Sequence, residues 1–146
     1  MTWTLQHPAV QAVYQQAVRL RKLGDGQLTA ASVALRKLLQ KPEHRGLETQ
    51  INAAALATEA VRRTRNMELF ETQLLAGLVL TQGMVAEMQT GEGKTLAGSL
   101  PICYGALLGD GVHVMTANAY CYASRGSRLA GFWDGEHGGR IRPPGS

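Results

Sequence analysis

The sequence lacks a hydrophobic run long enough to cross a bilayer. The uncharged stretch from Thr95 to Gly109 is interrupted by Pro101 and by glycines, and it falls short of the roughly 20 apolar residues that a transmembrane helix needs. The opening segment, MTWTLQHPAV, has neither a basic start nor an apolar core before a small-residue cleavage site, so it does not have the pattern of a signal peptide. We therefore expect a cytoplasmic protein.

Cysteine and histidine are also scarce. The two cysteines, Cys103 and Cys121, have no CxxC spacing, which predicts free thiols and argues against a disulfide framework. The four histidines are scattered along the chain and do not reproduce the ligand spacing of a zinc site. These residues predict neither a disulfide-stapled fold nor a zinc enzyme.

Positive charge is concentrated in the first part of the chain. Residues 1–66 contain ten Lys and Arg against four Asp and Glu, whereas residues 67–146 contain five against seven. A basic helical surface can attract anionic lipid or nucleic acid, and it can equally be the solvated face of ordinary helices. Both interpretations stay open on composition alone.

Residues 1–66 have the periodicity of an N-terminal helical region. Apolar side chains recur at three- and four-residue steps over Pro8–Leu23, which predicts an amphipathic helix. Thr29 or Ser32 is placed to cap a second helix that ends near Pro42. A third helix is predicted over the alanine-rich segment Leu47–Arg65, whose last turn carries arginines.

The pattern changes after residue 66. A buried helix is predicted over Leu74–Leu80, a strand over Met84–Met88, a helix over Leu96–Leu108 and a second strand over Val112–Ala117. Strand, glycine turn, helix and strand in this order form a βαβ unit. The sequence therefore predicts an α/β fold: an incomplete parallel sheet in a partial nucleotide-binding domain over residues 67–125, preceded by helices.

The stretch MQTGEGKT, Met88 to Thr95, has the composition of a phosphate cradle. Gly91 and Gly93 allow the backbone to curl so that its N–H groups face phosphate oxygens. Lys94, at the start of the following helix, can reach the outer phosphates, while the helix N-terminus adds partial positive charge. The Thr95 hydroxyl is a ligand for Mg²⁺.

The stretch departs from the strict pattern GxxxxGK[ST] because Met88 stands where the first glycine is expected. The shorter core TGxGKT, in which Thr90 and Gly91 replace the early glycine, is the version found in helicase-like motors. Its place between a predicted strand and a predicted helix meets the structural condition for a genuine phosphate-binding loop.

The run from Met67 to about Arg125 resembles SecA, the family of ATP-driven motors of bacterial protein export, with its P-loop, RecA-like, DEAD-type nucleotide-binding domain. The matching letters include MELFETQLLAGLVLTQGMVAEMQTGEGKT. The resemblance implies that the chain is an N-terminal fragment of such a motor. We expect it to be truncated or frameshifted after Arg125, because the last 21 residues contain six glycines and two prolines and predict a disordered tail over residues 126–146.

The resemblance also implies an adenine site formed by Met67, Phe70 and Gln73. A thioether and a ring can sandwich a flat base, and a glutamine amide can pair with its edge. The full set of implied nucleotide-binding positions, with ATP and Mg²⁺ as cofactors, is Met67, Phe70, Gln73, Thr90, Gly91, Glu92, Gly93, Lys94 and Thr95, where Thr95 is the metal ligand.

The partners implied by the resemblance are the SecYEG channel, preproteins and anionic lipid at the inner face of the plasma membrane. Arg19, Arg21 and Lys22 would contact lipid or channel, since basic amphipathic helices bind anionic surfaces. A purely scaffolding role for these helices is the alternative. No nucleic-acid partner is expected, because aromatic stacking residues are sparse among the basic helices.

Hydrolysis needs a second-strand carboxylate for Mg²⁺, a group that orients water and an arginine, and no residue of this sequence is identified in any of these roles. The run TANAYCYASR resembles the next motif of the family, but Ala119 stands in place of its aspartate. We therefore expect the chain to bind ATP without efficient turnover. The alternative is a non-catalytic vestigial nucleotide binder, or a module that contacts membrane or channel through residues 1–66.

Overall fold

The computed structural model describes residue 4, residues 6–109 and residues 111–115, and all regular structure in these ranges is helical. The helices are α1 Pro8–Leu20, α2 Asp25–Leu39, a 3₁₀ turn Pro42–His44, α3 Leu47–Arg65, α4 Glu71–Thr81, α5 Lys94–Ala97 and α6 Ser99–Leu108. None of the helices in the described ranges combines the length and apolarity required to span a bilayer.

Helix α1 starts where the sequence predicts and stops three residues early. Pro8 occupies the first turn, and the His7 ring accepts a hydrogen bond from the Ala9 N–H at 3.2 Å, which satisfies one of the free donors of a helix start. The side chains buried by this helix, at three- and four-residue steps, are Ala9, Val10, Val13, Ala17 and Leu20. The predicted amphipathic helix is thereby confirmed up to Leu20.

Helix α2 begins at Asp25, so the predicted caps Thr29 and Ser32 are wrong. Gly24 is the N-cap residue, and its N–H donates to Gln27 Oε1 at 3.0 Å. The hydroxyls of Thr29 and Ser32 donate instead to main-chain carbonyls one turn back, at 3.0 and 2.8 Å. Serine and threonine at interior helix positions make such bonds readily, which is why residue type alone misplaced the cap.

Helix α3 has the predicted bounds, Leu47–Arg65, and forms the centre of the core. Every residue from 53 to 61 is buried, and the helix contacts α1, α2, α4 and α6. Its many alanines let neighbouring backbones approach closely. The core therefore includes side chains from both sides of residue 66, where the predicted domain boundary lies.

A buried carboxylate holds two arginines at the end of α3. Glu59, 1% exposed, accepts hydrogen bonds from Arg62 and Arg63 at 2.7 to 2.8 Å. Arg63 also bonds the Leu23 carbonyl oxygen at 2.7 Å and pairs with Asp25 at 2.5 Å. Burial raises the pKa of Glu59, but the two guanidinium groups outweigh burial and hold that pKa below its ordinary value.

Helix α4 packs closely against α5 and α6 at Gly77. A Cβ built on Gly77 would lie 2.6 Å from Leu100 Cδ2 and 2.9 Å from the Ala97 carbonyl oxygen, so only glycine fits this crossing as it stands. The buried helix predicted over Leu74–Leu80 is confirmed within α4.

The single helix predicted over Leu96–Leu108 is wrong, because α5 and α6 are separate and meet at Gly98. Pro101 has no N–H to donate to the Ala97 carbonyl, and its ring crowds that carbonyl. The helix therefore breaks one turn before the proline.

No strand occurs in the described part of the chain, so the sheet predicted from Met84–Met88 and Val112–Ala117 is not seen there. Residues 84–88 and 112–115 are irregular, and Val85 is 93% exposed. A strand needs a neighbour that pairs with its N–H and C=O groups, and neither segment pairs with the other. Residues 116 and 117, like the tail predicted over 126–146, lie outside the described ranges.

Candidate functional site

The glycine-rich loop, residues 89–93, lies immediately before α5. Gly91 has φ 93° and Gly93 has φ 79°, the left-handed region that glycine enters without steric cost. A side chain at position 93 would also collide with the Gln73 amide nitrogen. Both glycines therefore have the backbone conformation that a curled anion-binding turn requires.

The loop is closed on itself through Gln89. The Gln89 N–H donates to Glu92 Oε2 at 2.7 Å, and the Gln89 carbonyl oxygen accepts from Lys94 Nζ at 2.8 Å. The Glu92 N–H donates to the same carbonyl at 3.3 Å. Sequence reasoning did not identify Gln89 as the centre of the loop, because its contacts are made by backbone atoms that every residue possesses.

Gln73 links α4 to the loop. It is 4% exposed; its Oε1 accepts from the Phe70 N–H at 3.0 Å and its Nε2 donates to the Glu92 carbonyl oxygen at 3.0 Å. A primary amide has two acceptor sites and two N–H donors, so one of each is not used in these two bonds. The structure thus brings Gln73, Glu92 and Gly93 together, although 19 residues separate Gln73 from Glu92.

The other two predicted adenine residues lie on the segment between α3 and α4. Met67 is 47% exposed and Phe70 is 69% exposed. Phe70 is also the N-cap residue of α4 and is tied to Gln73 through its backbone. Large apolar side chains with this much exposure are accessible to a flat aromatic ligand.

Lys94 and Thr95 open α5, as the sequence predicts. Lys94 is exposed and Thr95 is half-buried, and within the described residues the Thr95 hydroxyl forms no hydrogen bond, so it is available as an oxygen ligand. Helix α5 has only four residues, and a helix dipole arises from peptides aligned over several turns. The expected contribution of the helix N-terminus is therefore small, which leaves the Lys94 ammonium as the cationic group at this turn.

Comparison with known proteins identifies the family that the sequence matches. A model described as the SecA DEAD-like domain matches residues 3–132, a little beyond the end of the resemblance predicted at Arg125. Proteins named protein translocase subunit SecA from Helicobacter hepaticus and from Francisella tularensis subsp. novicida are 42% and 46% identical to this chain over 111 and 112 residues. The Thermotoga neapolitana protein of the same name is 40% identical over 111 residues.

The aligned region is 76% of this chain and 12 to 13% of each relative. The chain thus spans about an eighth of the length of the curated relatives that it matches.

Proposed function

This chain belongs to the SecA DEAD-like domain family, and we propose that it is the nucleotide-binding part of a protein-export motor, with Mg-ATP held at Gly91–Thr95. The proposal rests on one observation: Gly91 and Gly93 have left-handed backbone conformations, and Lys94 and Thr95 follow Gly93 directly. This arrangement presents backbone N–H groups, an ammonium group and a free hydroxyl to one ligand.

The chemistry of these residues fits a magnesium polyphosphate. Lys94 would leave the Gln89 carbonyl and bind phosphate oxygens, which carry far more negative charge than a carbonyl. Thr95 would be the protein ligand of Mg²⁺, an ion that prefers oxygen donors and neutralises phosphate charge. Thr90 and Glu92 would contribute backbone N–H groups to the same loop.

The base would lie against the segment before α4. We assign the stacking contacts to Met67 and Phe70, which are exposed, and the edge contact to the remaining N–H and acceptor site of Gln73. Since Gln73 also bonds the loop, neighbouring parts of one site would bind the base and the phosphates. A RecA-like fold of the wider domain belongs to the same proposal, although residues 84–88 and 112–115 form no strand in this chain.

The wider role follows from family membership. We propose that the protein couples ATP to preprotein export with the SecYEG channel and anionic lipid at the inner face of the plasma membrane. Arg19 and Lys22, exposed at the end of α1, would contact lipid headgroups, whereas Arg21 already pairs with Glu68 at 2.7 Å. For this chain we propose ATP binding without efficient turnover, because no residue of the sequence is identified as the second Mg²⁺ carboxylate, the water-orienting group or the arginine that hydrolysis needs.

Calorimetric titration of the full chain with Mg-ATP tests the proposal. Lys94→Ala removes a charge-assisted contact worth about 1.5–3 kcal/mol, so affinity should fall roughly 10- to 150-fold. Lys37→Ala, at an exposed position on α2, makes the same charge change away from the loop and should leave affinity within about two-fold, since exposed charges contribute little. Equal affinities for the two variants would contradict a phosphate site at Lys94.

A further inference from the structure

Helix α1 holds the segment that carries the proposed adenine residues. We call residues 66–70, between α3 and α4, the connector. Two side chains of α1 and that of its C-cap residue, Arg21, bond to the connector or to the first residue of α4. Tyr14 bonds the Leu69 carbonyl at 2.8 Å, Arg21 bonds Glu68 at 2.7 Å and Gln11 bonds Glu71 at 3.3 Å. No sequence pattern predicted these contacts, which join residues 47 to 60 positions apart.

The Tyr14 contact is the least exposed of the three to solvent. Its phenol is half-buried, while the other two contacts lie in solvent, where such pairs contribute little. Burial, followed by the carboxylates of Glu71 and Glu68, raises the pKa of Tyr14, so the phenol stays a protonated donor at neutral pH. The Leu69 side chain is 1% exposed, so Leu69 is fixed both by its side chain and by its carbonyl.

Leu69 lies next to the residues that would meet the base. Its carbonyl belongs to the peptide whose N–H is that of Phe70, and this N–H donates to Gln73 Oε1 at 3.0 Å. A shift of the Leu69 carbonyl would therefore rotate the Phe70 N–H and loosen its bond to Gln73. The glycine-rich loop is closed separately through Gln89 and makes none of its described hydrogen bonds with α1.

We propose that Tyr14 is a positioning residue for the adenine end of the nucleotide: from α1, its hydroxyl fixes the peptide between Leu69 and Phe70 and so sets selectivity for ATP over a bare polyphosphate. This inference rests on the proposed function. The Tyr14 contact would link α1, whose basic face is proposed to contact the membrane, with the residues proposed to bind the base. The phosphates would be bound by the loop alone.

The test compares Tyr14→Phe with Tyr104→Phe in the full chain. Tyr104 is 8% exposed in α6, and its hydroxyl has no hydrogen bond within the described residues, so it is a matched control for loss of a core phenol. Titrations use Mg-ATP and Mg-tripolyphosphate, which lacks the base. Tyr14→Phe should weaken Mg-ATP binding by about two- to ten-fold, which is the usual effect of losing one hydrogen bond. It should change tripolyphosphate binding by less than about two-fold. Tyr104→Phe should leave the ratio of the two affinities unchanged.

If Tyr14 has a purely structural role, Tyr14→Phe should weaken the binding of both ligands together. When the wild-type chain binds both ligands, an unchanged ratio of Mg-ATP to tripolyphosphate affinity in Tyr14→Phe overturns the inference, while the proposed function stands. Failure of the wild-type chain to bind either ligand overturns the proposed function instead. Hydrogen exchange at the Phe70 amide of the ligand-free chain then tests whether the Tyr14 contact positions this peptide. Faster exchange in Tyr14→Phe than in Tyr104→Phe supports positioning, and equal rates refute it.

Discussion

Replacement of Gly77 by alanine tests the helix crossing on which the site is built. The added Cβ would lie 2.6 Å from Leu100 Cδ2 and 2.9 Å from the Ala97 carbonyl oxygen, well inside ordinary contact. Overpacking of this kind costs about 1–3 kcal/mol, and the upper part of the range applies because a backbone atom blocks the methyl group. Alanine recovers about 0.4–1 kcal/mol by restricting the unfolded chain. We expect Gly77→Ala to be about 1–2 kcal/mol less stable than the wild type.

Urea unfolding followed by circular dichroism measures the change. Gly26→Ala is the control, because Gly26 lies in α2 with nothing within 4 Å of a built Cβ, and it should gain about 0.4–1 kcal/mol. The two Gly→Ala substitutions are therefore expected to change the free energy of unfolding in opposite directions. If Gly77→Ala were as stable as Gly26→Ala, α4 and α6 would not cross at Gly77, and the placement of Gln73 beside the loop would lose its support.

Two further predictions concern the loop and the buried carboxylate. Gly93→Ala should weaken Mg-ATP binding more than Gly91→Ala in calorimetric titration. Both substitutions strain a left-handed backbone, but only a side chain at position 93 displaces the Gln73 amide. Equal losses of affinity would contradict the Gln73 contact. Glu59→Gln should lower the free energy of unfolding by about 3 kcal/mol at pH 7, the lower end for a broken buried ion pair, because its arginine partners are partly exposed. Because the two arginines hold the pKa of Glu59 below its ordinary value in the folded chain, the wild-type advantage should be complete well above the ordinary glutamate pKa and disappear as pH falls through the folded pKa. An advantage independent of pH in denaturant titrations would refute this.

The approximate bounds predicted for helix α3 agree with those observed, whereas the predicted strands are not seen in the described residues. Its start after Gly46 and its end at Asn66, which takes the left-handed conformation, depend on local capping and periodicity. A strand instead depends on a partner that the local sequence does not specify. The break at Gly98 could have been anticipated from Pro101, since the effect of proline on the preceding turn is local.

The candidate site divides in the same way. The left-handed glycines and the position of Lys94 at a helix start follow from residue types in a short motif. The bonds of Gln73 to Glu92 and of Tyr14 to Leu69 join distant parts of the chain, and they arise from the packing of α1, α3 and α4. Short-range patterns therefore predict the backbone of the proposed phosphate loop, and the resemblance predicts the proposed adenine residues, while the contacts of Gln73 with Glu92 and of Tyr14 with Leu69 depend on the fold.

Amide chemical-shift mapping of the ¹⁵N-labelled chain on addition of Mg-ATP tests the central claim most directly. We predict that the largest changes occur at the Gly91, Gly93 and Thr95 amides, with smaller changes at Phe70, and that Lys94→Ala abolishes them at the same ligand concentration. Saturable changes centred on α2 or α3, with the loop amides unmoved, would contradict a nucleotide site at Gly91–Thr95.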